Sequence, residues 1–260
     1  MDVQFITIES IPIFEDNYIW LIINKKLNKV IAIDPGDAAP VERFLSTTQY
    51  ELAAILITHH HFDHTNGLNA LTHHYTVEVY GPQNTSIHGV THSVKEPDNL
   101  SFPFLNYPIS VLNIPGHTLD HIAYYWPGIL FCGDTLFSAG CGRVFEGTMD
   151  QMFQSLQKIA ALPPETKVYC THEYTLKNLK FAQMVEPDNL NIQLKIKQAS
   201  ANISAHRPTL PVLIRDELNI NPFLRCHVKE VIENVENRAG YKMKSALEVF
   251  SYLREWKNQF

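Results

Sequence analysis

Cysteine is scarce, at four in 260 residues, and Cys132, Cys141, Cys170 and Cys226 are widely spaced with no C-x-x-C pair. That spacing makes a disulfide framework an unsuitable reading and favours a reducing compartment. No apolar run reaches the roughly 20 residues that a membrane-spanning helix needs. Met1-Asp2-Val3-Gln4 has no basic start ahead of its apolar stretch and does not read as a secretory signal. Positive charge is also short: 21 Lys and Arg against 27 Asp and Glu leave a net charge of −6, with a pI near 6.1. A general nucleic-acid binder is thereby disfavoured, although a local basic patch is not. Internal repeats and low-complexity tracts are missing too. The expectation is a soluble, cytoplasmic, monomeric protein whose partner is a small molecule, with no nucleic acid and no membrane.

What the chain has is histidine concentrated in one place. Thr58-His59-His60-His61-Phe62-Asp63-His64 directly follows the apolar run Ala53-Ala54-Ile55-Leu56-Ile57, which reads as a buried strand. A strand cannot hold these groups on one face, but the loop that leaves it can. His59 and His61 are spaced to reach one metal ion, and Asp63 and His64, further round the turn, to reach a second. His60 alternates with them and points away. The arrangement recurs three times: apolar strands at 109–114, 129–132 and 167–170 are followed by His117, Asp134 and His172. Groups at strand ends are rigidly placed yet reachable, which suits catalysis.

Imidazole and carboxylate suit zinc, manganese or iron(II), whereas a soft thiolate site needs Cys. His59, His61 and His117 form a three-nitrogen set for one ion; Asp63, His64 and His172 hold the second; Asp134, with two oxygens, bridges them. Two ions about 3.5–4 Å apart share a hydroxide and clamp the attacking and leaving atoms of a hydrolysis. The expected cofactors are therefore two divalent ions, zinc foremost with iron or manganese as alternatives. Asp63 and Asp134 are the carboxylates nearest the chemistry, and the expected class is a hydrolase. Asp34, in an Asp-Pro-Gly turn, is placed to accept a proton from a ligating imidazole, and His121 to support a ligand rather than be one. His73, His74, His88, His92, His206 and His227 lack ligand spacing.

Strands at 5–8, 18–23 and 30–33 join those above, with helices at 41–48 and 149–161. After Glu173 the spacing turns helical, with segments near 176–184, 192–204, 229–238 and 245–256. The α/β reading is a metal-binding αββα sandwich over 1–173 and a small α-helical domain over 174–260.

Thr58-His59-x-His61-x-Asp63-His64, Gly116-His117-Thr118, Gly133-Asp134-Thr135 and Thr171-His172-Glu173-Tyr174 together resemble the metallo-β-lactamase superfamily. More narrowly, the chain is similar to the glyoxalase II family, the hydroxyacylglutathione hydrolases. Asp16-Asn17-Tyr18, Asp34-Pro35-Gly36, the run from Ala139 to Thr148, Asn221-Pro222-Phe223-Leu224-Arg225 and Arg254-Glu255-Trp256-Lys257 carry that narrower match across almost the whole chain. The resemblance implies a metallo-β-lactamase fold with a helical C-terminal domain that binds substrate. It also implies hydrolysis of S-D-lactoylglutathione to D-lactate and glutathione by a metal-bridging hydroxide, the second step of methylglyoxal detoxification. Arg143, Phe145, Tyr174, Arg254 and Lys257 would then hold the glutathione part. Arg offers a planar fork to a carboxylate and Lys a point charge, and the i, i+3 spacing sets Arg254 and Lys257 on one helix face. Three positions depart from the family pattern: Phe145 where relatives can carry Tyr, Arg143 where some carry Lys, and Asp120 where Gly is common. Persulfide dioxygenation at a single iron and a non-catalytic structural metal site are the rival readings. The full pair of ligand sets argues against the first, and a donor set that leaves room for solvent argues against the second.

Overall fold

The computed structural model describes residues 5–84 and 86–260, so the reading at Met1-Asp2-Val3-Gln4 lies outside the described residues. The backbone divides into two compact units, Met1–Asn113 with Asp120–Gly133 and Ile114–Leu119 with Asp134–Phe260.

The first unit is built on a six-stranded sheet whose strands lie in chain order. Strands β1 (Ile6–Ile13), β2 (Asn17–Asn24) and β3 (Lys29–Ile33) form an antiparallel meander. The parallel strands β4 (Glu51–Leu56), β5 (Glu78–Pro82) and β6 (His92–Val94) complete it. All of β2 except Tyr18 is buried, as expected of a central strand whose sequence is a continuous apolar run. Helix α1 (Ala38–Ser46) crosses from β3 to β4, and α2 (Phe62–Thr65) and α3 (Leu68–His74) cross from β4 to β5. The sequence spacing sets α1 three residues late because Asp37 caps the helix, accepting from Ala39 N at 3.0 Å, and Pro40 is tolerated in a first turn. Leu21, Ile23, Val30, Ala32, Ile55 and Ile57 pack on Val41, Leu45, Leu68 and Leu71. Each of the larger side chains contributes about 1.5–3 kcal/mol when fully buried.

A second run of strands, β7 (Asn99–Leu100), β8 (Ile109–Asn113), β9 (Ile122–Trp126) and β10 (Ile129–Phe131), pairs antiparallel in that order. It is tied to the end of β4: the Tyr124 hydroxyl donates to Ile57 O at 2.8 Å, and Ile122 N to Thr58 O at 2.9 Å. These bonds fix the point where the histidine loop begins.

The second unit opens with a tight hairpin, β11 (Leu136–Phe137) and β12 (Gly140–Cys141), which turns at Ala139 with φ +54°. Helix α4 (Met149–Ala160) starts at a reciprocal cap, the Thr148 side chain accepting from Gln151 N while Gln151 bonds the Thr148 backbone. Strands β13 (Lys167–Tyr169) and β14 (Val212–Leu213) pair antiparallel. Helices α5 (Thr175–Val185), α6 (Leu190–Ser204), α7 (Ile214–Ile220), α8 (Lys229–Ala239) and α9 (Ala246–Asn258) make up the rest. Leu179, Ala182, Ile192, Ala199 and Ile220 close a core around Ala139. A partly buried ion pair also braces the helices, with Arg225 Nε and Nη2 donating to Glu186 at 2.9 and 2.8 Å. The boundary read at 173/174 divides the chain by element type, whereas the two units follow contact. Among the described residues no helix is long and apolar enough to cross a membrane.

Candidate metal centre

In the first unit the loop 58–64 leaves β4 as the sequence expects, and its shape is enforced by Asp34. This residue follows β3, has φ +50° and is 2% exposed. Its Oδ1 accepts from Thr58 N at 2.8 Å, and its Oδ2 from the Thr58 hydroxyl at 2.7 Å and His64 Nδ1 at 3.0 Å. Because Thr58 gives its one hydroxyl proton to Asp34, it accepts from His59 Nδ1, 3.0 Å away. The carboxylate thereby sets both tautomers, leaving Nε2 of His59 and of His64 as lone-pair donors to a metal. His59 Nε2 lies 3.1 Å from His61 Nδ1, and His64 Nε2 lies 3.5 Å from Asp63 Oδ2. Asp63 Oδ2 is oriented by Asn17 Nδ2 at 2.8 Å. Gly36 is required beneath the loop, since a Cβ there would sit 1.8 Å from the Asp63 carbonyl oxygen.

The flanking histidines have different neighbours. His60 meets Asp120, Nδ1 to Oδ1 3.0 Å, and Asn84 Nδ2 donates to the other Asp120 oxygen at 2.8 Å. His121 stacks on His59 with centroids 4.4 Å apart and planes at 15°.

In the second unit Asp134 Oδ2 lies 3.4 Å from His117 Nε2 and 3.3 Å from His172 Nε2. All three side chains are buried. His117 Nδ1 donates to Arg143 O at 2.8 Å, so its Nε2 is again the lone-pair donor. Gly116 has φ +148°, and a Cβ there would meet Met152 of α4 at 2.7 Å. The ring of Tyr174 stacks on His172 at 4.7 Å and 7°, with Phe137 edge-on to both. Phe145 is exposed and edge-on to His117 at 5.3 Å.

The donor spacings fit a metal. Bonds of about 2.0–2.1 Å at tetrahedral angles separate neighbouring ligand atoms by about 3.3–3.4 Å. The contacts of 3.1, 3.5, 3.4 and 3.3 Å fall around that edge length. The donors are nitrogen and oxygen alone, and all four cysteines are buried.

The basic residues also converge within the second unit. Lys257 is half-buried beside the rings of Phe181 and Phe260, 5.1 and 4.7 Å from their centroids. Burial first, then the charges of Arg254 and Lys177, push its ammonium pKa down to about 8. Lys177 was not foreseen from sequence; Lys257 Nζ sits 3.5 Å from its carbonyl. Arg143 is exposed. Arg254 is 3% exposed, with Nη1 donating to Cys141 O at 2.7 Å. Two motif residues gain definite partners: Glu173 accepts from Thr209 N and its hydroxyl, and Asn221 Nδ2 donates to Phe137 O and Gly140 O at 3.2 and 2.9 Å.

A model of the metallo-β-lactamase superfamily matches residues 14–172, and one of the hydroxyacylglutathione hydrolase C-terminus matches residues 173–260. Among solved structures, ETHE1 from Myxococcus xanthus is similar in fold, with TM-score 0.68 at 24% identity over 96% of this chain and 91% of that one. TTHA1623, solved in a di-iron-bound form, gives TM-score 0.53 at 26% identity over 64% of this chain and 91% of that one. The protein is a member of the metallo-β-lactamase superfamily, whose fold implies a dinuclear divalent metal site, and the chain supplies His and Asp candidates for it. It is 49% identical to a hydroxyacylglutathione hydrolase of Alkalilimnicola ehrlichii, over 97% of this chain and 98% of that protein. It is 48% identical to one of Photobacterium profundum, over 98% and 100%. Within the superfamily, the chain belongs to the hydroxyacylglutathione hydrolase family.

Proposed function

We propose that this protein hydrolyses S-(2-hydroxyacyl)glutathione, with S-D-lactoylglutathione giving D-lactate and glutathione, as the second step of methylglyoxal detoxification. His59, His61 and His117 are assigned to one divalent ion, Asp63, His64 and His172 to the other, and Asp134 to both, with zinc the first choice of metal. The observation that carries this reading is Asp134, one of whose oxygens stands within 3.4 Å of an imidazole from each assigned set. Such a pair of ions supplies a nucleophile from water at neutral pH and stabilises a developing oxyanion.

The chain's own residues do the remainder. Asp34 and Thr58 hold His59 and His64 in the tautomers that ligation needs. Asp63, steadied by Asn17, is placed to orient the attacking water. Arg143, Tyr174, Arg254 and Lys257 bind the glutathione part, and Phe145 adds an apolar contact without a hydroxyl. The water oxygen gives up a proton and adds to the thioester carbon as the carbonyl opens to an oxyanion; when the carbonyl re-forms the C–S bond breaks, and the electron pair leaves on sulfur, which takes up a proton. Because a thiol pKa is about 8.5, the thiolate departs without a strong general acid.

The domain boundary belongs at 173/174, with the metal domain over 1–173 and the substrate-binding helices over 174–260. Four buried cysteines with no disulfide between them fit a reducing, cytoplasmic setting, and a small-molecule substrate asks no more than a monomer. The test is turnover of S-D-lactoylglutathione by protein of measured metal content. Metal-replete protein that leaves this thioester intact, or that consumes oxygen with glutathione persulfide instead, overturns the reading.

A further inference from the structure

We propose that Arg254 is a positioning residue for the metal ligand His117, acting through the backbone of residues 141–143. Arg254 lies on α9, far along the chain from His117, yet two bonds and one turn of backbone connect them. Its Nη1 donates to Cys141 O at 2.7 Å and approaches Gly142 O at 3.4 Å. The next carbonyl in the chain, Arg143 O, accepts the Nδ1 proton of His117 at 2.8 Å. On its inner side the same segment has no slack. Gly142 N donates to Thr135 O at 3.1 Å, and a Cβ on Gly142 would meet Asp134 O at 1.9 Å and His117 Nδ1 at 3.2 Å. The segment is therefore pressed against the ligands Asp134 and His117 and held from outside by a guanidinium.

The guanidinium is itself fixed. Its Nε donates to Asn258 at 3.2 Å, its Cζ lies 5.0 Å from the centre of the Phe223 ring, and the residue is 3% exposed. A group that only waited at the surface for a carboxylate would not be buried against two main-chain carbonyls. Releasing Cys141 and Gly142 lets Arg143 O move, and His117 loses the acceptor that fixes its tautomer and ring plane. Partners of this kind govern metal affinity by about 10–100-fold. Arg254 thus links the helix proposed to hold glutathione with one ligand of the metal pair.

The inference rests on His117 being a ligand, which His117→Ala tests by itself. Zinc affinity is measured by chelator competition on the full chain for wild type, His117→Ala, Arg254→Met, Arg254→Lys, Asn258→Leu and Lys257→Met. Arg254→Met is expected to weaken one of two zinc ions about 10–100-fold, with Arg254→Lys recovering part of the loss and Lys257→Met binding zinc like wild type. In the His117→Ala background Arg254→Met should add almost nothing. If Arg254→Met does not fold, Asn258→Leu, an exposed change that loosens the same guanidinium, should still cost zinc affinity severalfold. Unchanged zinc affinity in the Arg254 and Asn258 variants overturns the proposal while leaving the metal site standing. Unchanged zinc affinity in His117→Ala overturns the ligand assignment instead.

Discussion

Asp34 Oδ2 lies 3.0 Å from His64 Nδ1 across 30 residues of sequence, and the same carboxylate takes both the amide and the hydroxyl of Thr58. Removing it with Asp34→Ala strands three buried donors at once. Each unsatisfied buried donor costs about 1–3 kcal/mol, so chemical denaturation of the metal-free protein should show a loss of several kcal/mol. Zinc affinity should fall about 10–100-fold as well, because His64 and His59 lose the partner that sets their tautomers. A variant that keeps wild-type zinc affinity would show that the turn at Asp34 is architectural only.

Asp134 is the residue assigned to both ions, so its removal should be felt differently from that of any imidazole. His59→Ala or His117→Ala should deplete one ion, and His64→Ala or His172→Ala the other. Asp134→Ala should lower occupancy of both. Elemental analysis after dialysis against a weak chelator reads this directly. Fully active protein with one ion per chain would contradict the two-ion assignment.

The candidate metal ligands stood out in the sequence because each follows an apolar run and the first four fall in a single short segment. Helix α4 was legible for a similar local reason, its cap residues Thr148 and Gln151 being only three positions apart. The parts that were not legible depend on distant partners. Strand β5 begins at Glu78 and reads Glu-Val-Tyr-Gly-Pro, too short and mixed to announce itself, and is set by pairing with β4 and β6. Asn17 stood in a noted motif with no role, because its partner Asp63 is 46 residues away. Arg254 read as a glutathione contact sharing a helix face with Lys257; its burial against Cys141 comes from a contact 113 residues distant.

Glu217 gives a pH dependence of stability with a definite sign. It is fully buried, its Oε2 accepting from Ala139 N at 2.7 Å and Asn221 Nδ2 at 3.0 Å, and burial pushes its pKa up to about 7. The ordinary value is 4.5. Between those values the folded state holds the proton more tightly than the unfolded chain, so stability falls as pH rises through that window. From pH 5.5 to 8 the loss should be about 2 kcal/mol. Glu217→Gln does not ionise and should lack this component. Urea denaturation of both proteins at the two pH values measures the difference, and parallel pH trends would remove Glu217 from the account.

Lys257 should make substrate binding pH-dependent in the opposite half of the scale. Burial and the neighbouring charges of Arg254 and Lys177 lower its pKa from 10.5 to about 8, so its charge is lost as pH climbs through 8. If the charged form is the one that receives the glutathione carboxylate, KM should rise about tenfold between pH 7 and 9 as the competent fraction falls. Lys257→Met should raise KM at pH 7, lowering kcat/KM about 10–100-fold with kcat little changed, as expected for one lost charge-assisted hydrogen bond. It should also flatten the pH profile of KM. Added salt should reproduce part of the effect in wild type and little of it in the variant, since a partly exposed ion pair is screened. Metal content should be the same in both. A wild-type KM in Lys257→Met at low salt and pH 7 would remove this lysine from substrate recognition, whatever became of the metal centre.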